Sequence, residues 1–130
     1  KLMTAIAGLE NGINPQTKVN CNGYYKFGRR AFHCWKEGGH GSLNLVDAIM
    51  HSCNTYFFTI ANQIGAERIA EVSKRFGYAE KPDISLHGAK TGVAPNDEWK
   101  RRALKQSILG YICADDFSNS FVVISFNKGN

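Results

Sequence analysis

The chain has 130 residues, 43% of them apolar, and its 16 Lys and Arg against 11 Asp and Glu give a net charge of +5. That size allows one domain with its own core, or a fragment of a larger domain. No apolar run approaches the roughly 18 residues needed to span a bilayer, and the N-terminus lacks the charged-then-apolar layout of a signal peptide, so the chain as given is expected to be soluble.

The excess positive charge does not read as a nucleic-acid surface. Arg29-Arg30 and Lys100-Arg101-Arg102 are short clusters without interleaved stacking aromatics, and a solvated basic face accounts for them.

From the N-terminus, Lys1 is followed by an amphipathic helix over residues 2–11, with Gly12 placed to end it. Asn14-Pro15-Gln16-Thr17 is turn-forming. Residues 18–21 and 24–35 then read as short strands around Phe27-Gly28-Arg29. Gly38-Gly39-His40-Gly41 reads as a loop. Asn44 caps a helix that runs to His51, with Asp47 supplying first-turn negative charge and Leu45, Ala48 and Ile49 forming its buried stripe. A second helix follows with Tyr56, Ile60 and Ile64 on one face, ended by Gly65. A third lies between Gly65 and Gly77, carrying Arg68, Ile69, Val72 and Phe76. The expected fold class is α+β, mainly helical with a small β-hairpin. Residues 107–130 are different in kind, with β-prone runs at Ser107–Cys113 and Phe121–Phe126.

Between the first pair of central helices stands Ser52-Cys53-Asn54. A hydroxyl and an amide two positions apart at a break between buried helices can face one pocket and relay protons there. The plain structural alternative is a polar junction in which Ser52 caps the next helix. Cys21, His33, Cys34, His40, His51 and Cys53 are all possible metal ligands. Zinc sites, however, pair ligands two to four residues apart and repeat the pair, and only the adjacent His33-Cys34 comes near that pattern. No metal and no cofactor are therefore expected. Cys21 and Cys34, on candidate strands either side of Gly28, are expected to be close enough for a disulfide in an oxidising compartment. Cys53 is expected to pack as a small buried side chain, and Cys113 has no evident partner.

These elements occur in an informative order. Lys1 leads an apolar helix, as in the Ser-x-x-Lys signature of penicillin-binding proteins. Cys34-Trp35-Lys36-Glu37-Gly38-Gly39-His40-Gly41 and Leu43-Asn44-Leu45 lead into Ser52-Cys53-Asn54, and Phe76-Gly77-Tyr78 and Pro95-x-x-x-Trp99-Lys100 follow. Together they resemble the transpeptidase domain of class B penicillin-binding proteins of the elongation type. The resemblance covers residues 1–106 as a partial domain, the helical part of a serine β-lactamase-like fold. Residues 107–130 lack the family's aromatic-Gly-Asp-Thr turn and its Ser-Ile-Gly-Gln-Gly segment and form a divergent tail, for which a frameshift is one explanation. They are expected to be poorly ordered.

The resemblance implies a serine D,D-transpeptidase that cross-links peptidoglycan stem peptides through an acyl-enzyme and binds β-lactams. It implies a site at the periplasmic face of the bacterial inner membrane, with the anchor outside this sequence, and elongation-type cell-wall synthesis proteins as partners. Carried over residue by residue, Lys1 is the base, Ser52 relays protons to the departing or incoming amine, Asn54 binds the substrate amide, and Cys53 fills the variable middle position. The attacking serine would stand three positions before Lys1, so residues 1–130 alone are expected to be inactive. Ser42 cannot replace it, because Leu45 stands where its lysine would be needed. Lys90-Thr91-Gly92 looks like the family's third motif but lies among loop formers only 36 residues after Asn54, too early for the cleft strand, and is taken as a decoy. The alternative function is a nonenzymatic remnant or interaction module of the same fold.

Overall fold

The computed structural model describes residues 1–81, 92, 94 and 96–102. Lys90, Thr91, Cys113 and the whole tail 107–130 lie outside the described residues. The elements in chain order are α1 (Leu2–Glu10), β1 (Val19–Cys21), β2 (Tyr24–Phe27), β3 (Arg30–His33), β4 (Gly41–Leu43), α2 (Leu45–Met50), α3 (Asn54–Ile64), α4 (Ala66–Arg75) and α5 (Asp97–Arg102). The fold is α+β, as the sequence indicates.

Helix α3 is the centre of the molecule. Tyr56 and Phe57 are fully buried, and Thr55, Phe58, Ile60 and Ala61 are nearly so, so apolar contact surrounds the helix on more than the single stripe expected. Helices α1 and α4 pack against it on one side, and the strands cover another. Two apolar clusters meet along α3. One gathers Ala5, Leu43, Leu45, Ala48, Tyr56, Phe57 and Ile60 with the cysteines at 21, 34 and 53, and the other gathers Ala7, Phe58, Ala61, Ile69 and Val72. On α4, Ile69 and Val72 are buried as expected, but Phe76 lies past the last turn and is exposed. On α2, Leu45 and Ala48 face inward, while the third predicted stripe residue, Ile49, is turned outward with Val46 and Met50.

The strands depart from the expected arrangement. Strand β1 pairs antiparallel with β4, Val19 opposite Leu43 and Cys21 opposite Gly41, whereas β2 and β3 form a separate hairpin across Gly28-Arg29. The segment read as a loop at Gly38–Gly41 thus ends in a strand. Gly39 makes this possible, since a Cβ there would collide with the backbone of Cys21 and Gly23. That close approach brings the 38–41 segment against β1. A two-stranded hairpin is marginal by itself. The β2–β3 pair is held by Tyr25 and Phe32, whose rings lie 5.9 and 5.4 Å from that of Phe58 on α3.

Candidate active site

Three helices end in the same way, and the middle one carries the site. After α1, Gly12 N–H bonds to Leu9 O and Ile13 N–H to Gly8 O. After α4, Gly77 N–H bonds to Lys74 O and Tyr78 N–H to Ser73 O. This is the Schellman closure, whose turning residue adopts a left-handed conformation and is usually glycine, as it is at Gly12 (φ +83°) and Gly77 (φ +79°). After α2 the same pair of bonds runs from Ser52 N–H to Ile49 O and from Cys53 N–H to Ala48 O. The turning residue there is Ser52, at φ +50°, the one non-glycine among the described residues with positive φ.

A side chain in that conformation costs about 1–2 kcal/mol. Ser52 therefore closes α2 and does not cap α3, whose N-cap is Cys53 without a side-chain bond. The strain gives a direct expectation. Ser52→Gly and Ser52→Ala both remove the hydroxyl, but only glycine relieves the left-handed backbone, so the glycine variant should be the more stable by about 1 kcal/mol in denaturant unfolding. The reverse order would mean that the turn is not left-handed in solution.

The turn presents Ser52 to Lys1, which stands at the N-cap of α1. Lys1 Nζ donates to Ser52 Oγ at 2.7 Å and to Ser52 O at 2.9 Å. Two residues 51 positions apart are thus brought together by the packing of α1 on α3. From the opposite side of the chain, Trp35 Nε1 donates to His51 O at 3.0 Å and Ser52 O at 3.1 Å. Asn54, at the first position of α3, donates from Nδ2 to His33 O at 3.1 Å, which ties the start of α3 to the end of β3. Asn44 caps α2 through its side chain on Asp47 N–H, as the sequence indicates.

Directly behind the Ser-Cys-Asn turn, Cys21, Cys34, His40 and Cys53 converge, with one ligating atom from each lying within 4.8 Å of all the others. All three cysteines are free. His40 Nδ1 is 3.6 Å from Cys21 Sγ and 3.5 Å from Cys34 Sγ. Its Nε2 is buried without a hydrogen-bond partner, so the ring is held from the sulfur side. Burial opposes ionisation of Cys21, but hydrogen bonds with Thr55, His40 and the Gly23 backbone outweigh it and lower the thiol to about 6. Burial, aided by the neighbouring sulfurs, pushes Cys53 up to about 12.

Three sulfurs and one imidazole are a structural zinc donor set, and Zn–S bonds of about 2.3 Å give a tetrahedron with edges of about 3.8 Å. The four side chains would need to draw in by about 1 Å at the widest pair to hold the ion. The repeated close pair of ligands sought in the sequence is absent, yet four possible donors still meet. The ligands are spaced 21 to 34, 34 to 40 and 40 to 53, with no close sequence pair, and only β1–β4 pairing and the α2–α3 turn assemble them. Cys21 and Cys34 are close, as expected, with their sulfurs inside that 4.8 Å cluster, but they are not partners across one hairpin, because Cys21 lies on β1, which pairs with β4, and Cys34 lies beyond the end of β3; both thiols are free.

Of the residues singled out from sequence, Lys1 and Ser52 are therefore in contact, Asn54 lies at the same junction, and Cys53 faces the sulfur cluster. Trp35 carries no site signal in the sequence beyond its place in the matched motif, and His40 stands there only as one of six possible metal ligands. A lysine at the head of one helix, bonded to the serine of a Ser-x-Asn turn between two others in an α+β fold, is the arrangement expected of a penicillin-binding transpeptidase domain. The family model for the penicillin binding protein transpeptidase domain matches residues 1–115, and the chain belongs to that family.

Its relatives include peptidoglycan D,D-transpeptidases. It is 37% identical to the peptidoglycan D,D-transpeptidase MrdA of Acinetobacter baumannii over 81% of this chain and 16% of that protein, and 29% identical to MrdA of Escherichia coli over 82% of this chain and 17% of that protein. Among solved structures, PBP2 of Pseudomonas aeruginosa aligns with a TM-score of 0.72 at 31% identity, covering 85% of this chain and 26% of that one. PBP2 of Helicobacter pylori, in a complex with MreC, aligns with a TM-score of 0.73 at 28% identity, covering 85% of this chain and 21% of that one. The chain spans about a sixth of the curated relatives' length.

Proposed function

We propose that this chain is part of a peptidoglycan D,D-transpeptidase domain that cross-links stem peptides through a serine acyl-enzyme and is acylated by β-lactams. The observation that carries the reading is the 2.7 Å contact between Lys1 Nζ and Ser52 Oγ at two positions of the family's motifs. A serine hydroxyl is a weak nucleophile until a base takes its proton, and a lysine one helical turn beyond it is within reach. A lysine serves as that base only in its neutral form, which desolvation favours. The attacking serine would stand three positions before Lys1, outside residues 1–130. Its proton passes to Lys1 as the serine attacks the D-Ala-D-Ala carbonyl. Ser52 then delivers a proton to the departing amine and takes one from the incoming amine, while Asn54 hydrogen-bonds the substrate amide. Residues 1–106 supply this part of the domain, and Lys90 takes no part in the chemistry.

The family resemblance supports a location at the periplasmic face of the inner membrane and partners among the elongation-type cell-wall synthesis proteins. A complete transpeptidase domain carrying this segment should take up one fluorescent penicillin covalently, and residues 1–130 alone should take up none. A folded complete domain that stays unlabelled would overturn the reading in favour of a nonenzymatic remnant. An adduct on Ser52 in the short chain would overturn the role given to that hydroxyl.

A further inference from the structure

We propose that Trp35 is a positioning residue of this site: its indole N–H clamps the carbonyls that follow α2 and so holds Ser52 in the left-handed turn that aims its hydroxyl at Lys1. The inference rests on the transpeptidase reading above and concerns a residue to which that reading gives no part.

Ser52 occupies a turning position that α1 and α4 fill with Gly12 and Gly77. A glycine there needs no support, whereas a serine pays for its Cβ and must be held by bonds that the relaxed conformation would break. The closing bonds from Ser52 and Cys53 N–H are common to all three helix ends and therefore do not supply the extra restraint. Among the described residues, what sets the α2 end apart is a pair of side-chain donors on the carbonyls of its C-cap and turning residues, where α1 has Asn11 Nδ2 on the earlier Ala7 O. Lys1 Nζ reaches Ser52 O at 2.9 Å, and Trp35 Nε1 bridges His51 O and Ser52 O at 3.0 and 3.1 Å. These are carbonyls at a helix C-terminus, where the partial negative charge is greatest and a donor is most favourable.

The two donors are not equivalent. Lys1 exchanges a proton during acylation, so its bonds to Ser52 change within each catalytic cycle. The indole N–H never ionises in this range and has a donor role only, so its grip on Ser52 O persists while Lys1 changes state. Trp35 is 63% exposed, which means that burial of its ring in the core does not explain its placement. The ring packs against His40, with centroids 5.1 Å apart in a T-shaped arrangement. Its chain neighbour Cys34 belongs to the same sulfur cluster as Cys53, the neighbour of Ser52. Both sides of the clamp are therefore tied, through their chain neighbours, to one cluster.

The test is a double-mutant cycle in a complete transpeptidase domain carrying this segment, read as the rate constant of acylation by a fluorescent penicillin and the dissociation constant of the preceding complex. Trp35→Phe keeps an aromatic ring and removes the donor. Replacement of Trp35 by benzothienylalanine keeps the shape of the ring and exchanges only N–H for sulfur. Each should lower the acylation rate constant about tenfold, with the dissociation constant changed less than twofold, and neither should lower it further in a Ser52→Ala background, because the clamp acts through the Ser52 hydroxyl.

Equal losses in both backgrounds, or a parental rate with benzothienylalanine, would overturn the inference while leaving the transpeptidase reading intact. A parent domain that takes up no penicillin would overturn that reading and this inference with it.

Discussion

Lys1→Ala in a complete domain carrying this segment is expected to lower the rate of penicillin acylation by a hundredfold to ten-thousandfold, the range typical of a positioned proton-transfer group. The size follows from what the amine touches. Its Nζ lies 2.7 Å from Ser52 Oγ, so in the proposed mechanism one substitution removes the base for the attacking serine and leaves the relay hydroxyl without its proton partner. It also removes one donor from Ser52 O, which loosens the strained turn. Ser52→Ala should give a loss of the same order, and the double variant should lose little more than either alone, since residues that act as a unit are not additive. Asn54→Ala should cost less, a few kcal/mol at most for an unpaired amide, and act on substrate orientation. Stopped-flow labelling with a fluorescent penicillin measures all four. A folded Lys1→Ala domain acylated within threefold of the parent would remove Lys1 from the chemistry.

Zinc added to the sulfur cluster and then removed is expected to produce the second large effect, this time on stability. The protein prepared with zinc should hold about one equivalent by elemental analysis, and Cys21→Ser, Cys34→Ser or Cys53→Ala should each abolish it. A ligand bound at a thousand times its dissociation constant stabilises the folded state by about 4 kcal/mol. In a domain of 150–250 residues that corresponds to a loss of about 10 °C in Tm on chelation. The cluster includes Cys53, the middle residue of the Ser-Cys-Asn turn, so chelation should also slow acylation at a temperature where the domain remains folded. Protein that carries less than a tenth of an equivalent of metal, and whose intact mass is two daltons low from a Cys21–Cys34 disulfide, would overturn the metal assignment.

Most of the secondary structure could be read from the chain because it depends on local chemistry. Gly12, Gly65 and Gly77 mark helix ends through the backbone freedom of glycine, Asn44 marks a helix start through its side-chain oxygen, and the apolar repeat along α3 and α4 follows from 3.6 residues per turn. The motif residues were legible for a related reason. Lys1 leads a helix and Ser52 and Asn54 flank a turn between two others, so each role is tied to a local landmark that the sequence displays.

Three features had no local signature and were decided by tertiary structure. Strand β1 takes β4 as its partner and not the nearer hairpin, because Gly39 lets two backbones approach where a side chain would collide. The four-ligand cluster draws on β1, the residues around β3 and β4, and the α2–α3 turn, so its members share no sequence spacing and meet only after those pairings form. The left-handed state of Ser52 is likewise invisible in a tripeptide. A serine prefers other conformations when alone, and this one is held by Lys1 from 51 positions away and by Trp35 from 17 positions away. The sequence by itself determined where the helices begin and end and where the motif residues stand along them. Contacts between segments distant in the chain determined the backbone geometry in which the proposed chemistry can act, because only they supply the free energy that outweighs the local preference of a strained residue.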